Sequence, residues 1–328
     1  MKTLGTGSRP TVKKAAAATL FAALCVALTG NRAVSQHELS MSLHSFAALY
    51  STLTAERDIA TSTGIPYGKL NRQRLDVYEP ANGAKLAPII LFIYGGSWTS
   101  GERAIYGFVG AALATRGLTT VIPDYRLAPE VEFPAFVEDA GEAYSWVART
   151  LSAACGERRP IVVMGHSAGA HIAALLALDR SYLSRAAPQY PGPAGLIGLA
   201  GPYGFDPTTW PSTKSIFSSA ASRPDQARPI AFASSKAPPS LLIHGQADDV
   251  VKIAASQNLF NALKTAGADA QKIEYPGVGH IGLILTLSQP FRWRADTLES
   301  VVHFADRIGA GRTLAPCAVG PNPQPTRP

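Results

Sequence analysis

The sequence lacks several features that would assign the chain to a large functional class. No cluster of Cys, His or carboxylate residues has the spacing of a metal site, and no glycine-rich phosphate-binding loop is present. Beyond residue 35, no stretch is apolar enough to span a bilayer. The sequence therefore predicts no metal centre, no cofactor and no membrane-spanning segment in the main part of the chain.

The chain also has little net charge outside its N-terminus. Its formal charge is +7, but five Lys and Arg residues lie in the first 35 positions, which contain no acidic residue, and only +2 remains for the rest. This balance provides no basic patch for nucleic acid. With 328 residues, of which 46% are hydrophobic, the chain can bury the core of one large domain.

The N-terminal charges precede an apolar segment. Lys13 and Lys14 are followed by AAAATLFAALCVAL, a run of 14 residues, and then by Ala33 and Ser35 at the small-residue positions of a cleavage site. The run is shorter than the roughly 20 residues that span a bilayer. Residues 1–35 are therefore predicted to be a signal peptide for export to the periplasm or the exterior. An uncleaved membrane anchor is the alternative.

Export would place two cysteines in an oxidising compartment. Cys155 lies in a loop before a predicted strand, and Cys317 lies in the Pro- and Gly-rich residues 311–328, which are predicted to form an extended tail. A Cys155–Cys317 disulfide would pin that tail to the domain. Two free cysteines are the alternative.

Short runs rich in Val, Ile and Leu alternate with segments in which apolar residues have helical spacing. Several runs are apolar at nearly every position, as strands covered on both faces must be. We therefore predict an α/β architecture: a mostly parallel sheet with helices on both faces. The predicted strands are 74–79, 88–94, 118–123, 160–165, 194–200, 239–245 and 272–277.

The segment GHSAG, residues 165–169, has a strand before it and a helical segment after it. This is the context of a nucleophile elbow, in which Ser167 occupies a strained turn. Side chains at Gly165 and Gly169 would collide with the neighbouring strand and helix. A serine that only caps the helix is the alternative, but the context favours a nucleophile.

A serine nucleophile needs a base and an acid that orients the base. Asp248 and Asp249 follow the predicted strand 239–245, and His280 follows the last predicted strand. These are carboxyl ends of strands, where open α/β sheets bind ligands. We expect Asp248 to be the acid, because Asp249 is explained as a cap of the next helix. His280 is the only histidine between the acid and the final helix.

The loop after strand 88–94 reads YGGSW and is a candidate oxyanion hole. Acyl transfer requires N–H donors directed at the oxygen that becomes negatively charged. The backbone N–H of Ala168, directly after the nucleophile candidate, is one predicted donor, and the others should come from the YGGSW loop, since glycines let the main chain approach a substrate closely. Tyr94 and Trp98 in the same loop are candidate substrate contacts.

The segments YGGSW, DYRLAPE (124–130) with FPAFVEDA (133–140), GHSAGAH, HGQADDVV and YPGVGHIGL follow one another in this order. With them the chain resembles α/β-hydrolases of the hormone-sensitive-lipase-like group, and among these the bacterial feruloyl-esterase-like carboxylesterases. The resemblance implies an α/β-hydrolase domain within residues 36–310 and a serine esterase that acts through an acyl-enzyme. It also implies the triad Ser167, Asp248 and His280, with the backbone N–H groups of Gly96, Ser97 and Ala168 as the oxyanion donors.

Two positions depart from the family pattern. Tyr94 stands where the family usually has the His of a His-Gly-Gly motif, and His166 stands where lipase-like members often have Asp. With His166, the segment GHSAGAH is instead similar to the same segment of feruloyl-esterase-like enzymes and of arylformamidases. An arylformamidase that hydrolyses N-formylkynurenine is therefore the second hypothesis, and a catalytically silent binding protein of the same fold is the third.

Residues 203–238 form a polar, Pro- and Ser-rich insertion that is short for a lid. Phe205, Trp210 and Phe217 either line an acyl or aryl pocket or pack the insertion down. A short lid suggests an open site and a small, soluble ester as the partner molecule. The sequence leaves the oligomeric state open.

Other polar residues near these motifs are predicted to be structural. Asp124, Arg126 and Asp139 are expected to pair and fix the loop beneath the site. His171, two residues past the elbow, and His244, at a strand end, are expected to contribute to packing rather than to catalysis.

Overall fold

A computed structural model of the protein describes residues 59–81, 87–154 and 157–310. The predicted signal peptide and the predicted tail lie outside the described residues. The same holds for Cys155 and Cys317, the two members of the predicted disulfide.

The core of the domain is an eight-stranded sheet with the strand order β1-β2-β4-β3-β7-β8-β9-β10. The β1–β2 and β2–β4 pairs are antiparallel, and the remaining neighbours are parallel. Its strands are β1 (Ile59–Pro66), β2 (Arg74–Pro80), β3 (Ile89–Ile93), β4 (Thr119–Pro123), β7 (Ile161–His166), β8 (Gly195–Leu199), β9 (Ser240–Gly245) and β10 (Ala270–Tyr275). A separate short pair consists of β5 (Ala153–Ala154) and β6 (Glu157–Arg158).

Helices pack against the sheet. They are α1 (Gly107–Ala114), α2 (Ala135–Thr150), α3 (Ala168–Leu178), α4 (Arg180–Ala186), α5 (Ala254–Thr265), α6 (His280–Leu285) and α7 (Thr297–Gly309). Helices α1 and α7 contact each other, and α2, α3 and α4 contact one another. Strands β3, β4, β7, β8 and β9 are buried at every position because both of their faces are covered. The predicted α/β-hydrolase architecture is confirmed.

The seven predicted strands are all present, with bounds that differ by at most two residues. Strand β1 was not predicted. It lies at the edge of the sheet, and most of its residues are exposed or half-buried, so its sequence IATSTGIP has no apolar run that would indicate a strand. Where an edge strand has few buried positions, hydrophobic patterning gives little signal.

The insertion 203–238 between β8 and β9 consists of turns and short 3-10 helices at Ser218–Ala220, Pro224–Ala227 and Pro229–Phe232. Phe217 is fully buried and anchors this insertion to the domain. Within the described residues, no helix has the length and apolar character needed to cross a membrane.

Candidate active site

Ser167 lies at the sharp turn between β7 and α3. Its backbone has φ 55° and ψ −125°, a conformation that is strained for a residue with a side chain. The two glycines of the motif are required by close contacts: a Cβ at Gly165 would lie 2.2 Å from Gly169 O, and one at Gly169 would lie 2.1 Å from Ile93 O. The predicted collisions with the neighbouring helix and strand are therefore confirmed, and the turn has the geometry of a nucleophile elbow.

The structure brings His280 and Asp248 to this serine. His280 Nε2 lies 2.8 Å from Ser167 Oγ, and His280 Nδ1 lies 2.7 Å from Asp248 Oδ2. His280 is the first residue of α6, and Asp248 follows β9, so both side chains come from carboxyl ends of neighbouring strands. With Nδ1–H donating to the carboxylate, Nε2 is free to accept the serine proton.

Asp248 is held as a carboxylate by several donors. Its Oδ1 accepts the backbone N–H groups of Val250 at 2.9 Å and Val251 at 2.8 Å, while Oδ2 faces His280. Burial raises the pKa of Asp248, but hydrogen bonds from His244, His280 and Val251 outweigh it and hold the pKa well below its usual value. Asp249 is exposed and has no such environment. The geometry thus agrees with the preference for Asp248.

The loop that contains the predicted oxyanion donors lies directly against Ser167. A Cβ at Gly95 would be 3.0 Å from Ser167 Cβ and 3.0 Å from His166 O, so the main chain passes Ser167 at van der Waals distance. The next residues have positive φ values, 134° at Gly96 and 53° at Ser97. Ala168 is the first residue of α3, and the N–H groups of a first helical turn have no acceptor inside the helix.

Tyr94 does not contact the substrate side of this loop, and the expectation that it does is wrong. Its side chain is fully buried, its hydroxyl donates to Asp124 Oδ1 at 2.8 Å, and Arg72 Nη2 donates to that hydroxyl at 2.9 Å. The ring stacks on Tyr125 and on Tyr106, with centroids 4.7 Å and 5.3 Å away. Tyr94 therefore fixes the base of the loop.

Charged pairs extend this support. Asp124 also accepts the backbone N–H of Arg103 at 2.7 Å and pairs with the Arg103 guanidinium, which in turn donates to Asp76 at 2.8 Å. Arg126 pairs with Asp139 at 2.9 Å. The expectation that Asp124, Arg126 and Asp139 pair to fix a loop is confirmed. The pairing of Arg103 with Asp124 and Asp76 was not predicted, because the residues around Arg103 in sequence match no motif.

His166, the residue before Ser167, packs against His280. Its ring centroid lies 4.8 Å from that of His280, and its Nε2–H donates to His280 O at 3.2 Å. Burial, with a smaller effect of His280, lowers the pKa of His166 to about 3, so its imidazole is neutral. His166 thus supports the backbone and ring of the candidate base without adding a charge.

The candidate substrate contacts other than Tyr94 form an aromatic series. Trp98 is buried, and its ring centroid lies 6.3 Å from that of the half-buried Phe205, which lies 6.2 Å from that of Trp210. Trp210 is 57% exposed, whereas Phe217 is fully buried against Trp98 and His171. The series therefore leads from the loop to the surface, and Phe217 belongs to the packing of the insertion.

The histidines that were expected to be structural have buried positions. His171 is fully buried and its Nε2–H donates to Ala227 O at 2.8 Å, which confirms a packing role in α3. His244 is also fully buried, but it lies closer to the site than expected: its Nε2 is 3.1 Å from Asp248 Oδ2. Among the described residues, no group of three or more His, Cys, Asp or Glu side chains could hold a metal ion.

The chain is similar in sequence to one protein family and to several esterases. The family model named BD-FAE matches residues 75–263, a range that includes the nucleophile elbow and Asp248. Isoprenylcysteine alpha-carbonyl methylesterase ICME from Arabidopsis thaliana is 31% identical over 277 residues, which cover 77% of this chain and 64% of the relative. Esterase LipC from Mycobacterium tuberculosis is 30% identical over 65% of this chain and 58% of the relative. The chain thus spans less than two thirds of these relatives.

Solved structures agree with the fold. Esterase B from Lactobacillus rhamnosis superposes with a TM-score of 0.67 at 18% sequence identity, covering 92% of this chain and 97% of the other. At that level of identity the similarity establishes the fold alone.

Proposed function

The chain belongs to the BD-FAE family and has the α/β-hydrolase fold, and we propose that it is a serine hydrolase that cleaves carboxylic esters. The observation that carries the proposal is the hydrogen-bonded series from Ser167 Oγ through His280 to Asp248. The names of the relatives, a methylesterase and an esterase, support ester hydrolysis over other reactions of this fold.

The proposed reaction proceeds through an acyl-enzyme. Ser167 Oγ attacks the ester carbonyl while His280 Nε2 takes its proton, and Asp248 stabilises the imidazolium that forms. The N–H groups of Gly96, Ser97 and Ala168 stabilise the oxyanion. The protonated His280 then gives its proton to the departing alcohol. A water molecule, activated by the same imidazole, hydrolyses the acyl-enzyme and restores the serine.

We propose small, soluble esters with short acyl or aryl groups as substrates. The insertion 203–238 is made of turns and short 3-10 helices and does not include a long lid helix. Phe205 and Trp210, which are partly exposed beside the loop, are the proposed contacts for the apolar part of the substrate, and Trp98 lies beneath them.

The test is a comparison of substrates with the purified protein. We expect hydrolysis of p-nitrophenyl acetate and butyrate to exceed that of longer esters, and methyl ferulate to report on an aryl preference. N-formylkynurenine tests the arylformamidase alternative. Activity on the formamide alone would overturn the ester assignment, and no activity of the wild type on any substrate would favour a binding protein.

We further propose that the protein is exported and that residues 1–35 are removed. The charged start, the apolar run of 14 residues and the small residues at 33 and 35 support export. N-terminal sequencing of protein from the periplasm or medium should give a mature chain that begins after residue 35. Recovery of the intact chain in the membrane fraction would instead support an anchor.

In the exported protein we propose the Cys155–Cys317 disulfide. It would close a loop of more than 150 residues, for which chain entropy predicts a stabilisation of about 4–5 kcal/mol before strain is counted. Mass spectrometry under non-reducing conditions should find the two peptides joined. Two free thiols in the secreted protein would contradict the pairing and would leave the proposed triad unaffected.

A further inference from the structure

His244 lies next to the candidate acid and has contacts on both ring nitrogens. It is the fifth residue of β9 and is fully buried. Its Nε2 is 2.9 Å from Val251 O and 3.1 Å from Asp248 Oδ2, and its Nδ1 is 2.7 Å from Ser256 Oγ. The ring thus joins β9, the turn that carries Asp248, and helix α5.

These contacts define which nitrogen carries the proton. Val251 O and Asp248 Oδ2 can only accept hydrogen bonds, so Nε2 must carry the hydrogen that faces them. Ser256 is fully buried, and its hydroxyl satisfies its own donor by donating to Nδ1. The ring thus has an N–H on the side of the acid and an acceptor nitrogen on the side of Ser256.

The turn 248–251 depends on this N–H. Asp248 Oδ1 accepts the N–H groups of Val250 and Val251, and the carbonyl of Val251 accepts from His244. The same ring edge faces Oδ2, the oxygen that also receives the proton of His280 Nδ1. His244 therefore restricts both the side-chain rotation of Asp248 and the backbone conformation of the turn 248–251.

We propose that His244 is a positioning residue for the reaction: it acts through Asp248 to hold His280 in line with Ser167. The inference rests on the proposed function. A base must be held within hydrogen-bond reach of its nucleophile, and a small misplacement of such a group costs a large part of the rate. His244 does not touch the substrate, so its effect falls on kcat and leaves KM unchanged.

The test uses two polar, neutral replacements that keep different edges of the ring. His244→Gln places an amide near the position of Nε2 and can still donate to Val251 O and Asp248. His244→Asn keeps a polar group only near Nδ1, on the side of Ser256. Thr119→Val is the control, because Thr119 is a fully buried residue whose hydroxyl accepts from Arg159 at the opposite end of the strands.

Two experiments are done on each variant: steady-state kinetics with p-nitrophenyl acetate, which gives kcat and KM, and proton NMR, which records the downfield resonance of His280 Nδ1–H. We expect His244→Asn to lower kcat by about 10- to 100-fold, as for a slightly misplaced catalytic group, and to shift or broaden the resonance. His244→Gln should retain most of both, and Thr119→Val should retain both. If His244→Asn does not fold, His244→Phe fills the ring volume without a donor and takes its place.

Equal values of kcat and an unchanged resonance in wild type, His244→Asn and His244→Gln would overturn the proposal. Equal losses in the Asn and Gln variants would overturn it too, because a packing role alone would not distinguish them. An inactive wild type would refute the proposed function only. The resonance would then still show whether His244 orders the contact between Asp248 and His280.

Discussion

Replacing Tyr94 by Phe tests whether this residue supports the loop or contacts the substrate. The change removes one buried oxygen and keeps the ring that stacks on Tyr106 and Tyr125. Two hydrogen bonds are lost, the one donated to Asp124 and the one accepted from Arg72. The cost depends on whether any charged group is left without a partner.

No charge is left unpaired in Tyr94→Phe. Asp124 keeps the backbone N–H and the guanidinium of Arg103, and Arg72 keeps the carbonyls of Tyr125 and Gly101. The expected loss in the free energy of unfolding is therefore about 1–3 kcal/mol, because both charged partners keep other hydrogen bonds. For a domain of this size, each kcal/mol lowers Tm by about 2–4 °C.

Arg103→Leu is the informative comparison. It removes the guanidinium that pairs with two buried carboxylates, Asp76 and Asp124. Breaking a buried pair from one side costs about 3–5 kcal/mol, so this variant should lose clearly more stability than Tyr94→Phe.

Urea unfolding and steady-state kinetics with p-nitrophenyl acetate measure both effects. In Tyr94→Phe we expect the moderate loss of stability, an unchanged KM and a kcat reduced by less than about tenfold, since the loop keeps its other supports. A KM raised severalfold without any loss of stability would refute this reasoning, because it would mean that the hydroxyl binds substrate.

Three other predictions concern the acid, the oxyanion hole and pH. Asp248→Asn should lower kcat by several orders of magnitude, whereas Asp249→Asn should leave it near wild type; the reverse result would show that Asp249 is the acid. Ser97→Ala should keep most activity, since the backbone N–H is the donor, and a large kcat loss would implicate the hydroxyl. Gly96→Val should abolish activity, because a Cβ there would lie 2.1 Å from Ser100 O. Burial lowers the pKa of His171 to about 4, below the value of about 6.5 in an unfolded chain. The unfolded state therefore binds more protons between these pH values, and stability should fall as the pH is lowered from about 6.5 to about 4, by up to about 1.4 kcal/mol per pH unit. In His171→Gln, the free energy of unfolding measured with urea should therefore depend less on pH across this range. The same pH dependence in the variant and the wild type would contradict the lowered pKa of His171.

The parallel core was predictable because burial on both faces leaves an unambiguous pattern. Runs such as IILFI in β3 and GLIGL in β8 have no polar position, and their order along the chain defines an alternating α/β architecture. Strand β1 was not predicted for the opposite reason. It lies at an exposed edge, so its serine and threonines do not alternate with buried apolar residues.

The sequence allowed prediction of those site residues whose positions follow from the order of the strands. Ser167, Asp248 and His280 each follow a strand of the parallel part of the sheet, so their approach follows from chain order. The role of Tyr94 depends on contacts with Arg72 and Asp124, 22 and 30 residues away in sequence. No local pattern reports such contacts. The four-residue spacing of His244 and Asp248 in HGQAD is visible in the sequence, but the hydrogen bonds of His244 to Val251 and Ser256 are not.

The proposed function requires Ser167 to be the nucleophile of an ester hydrolase. Treatment with a fluorophosphonate, followed by intact-mass and peptide mass spectrometry, tests it most directly. We expect one phosphonyl group per chain, on the peptide that contains Ser167, with ester hydrolysis lost in proportion to labelling and no adduct on Ser167→Ala. An unlabelled wild type, or an adduct on another residue that persists in Ser167→Ala, would contradict the claim.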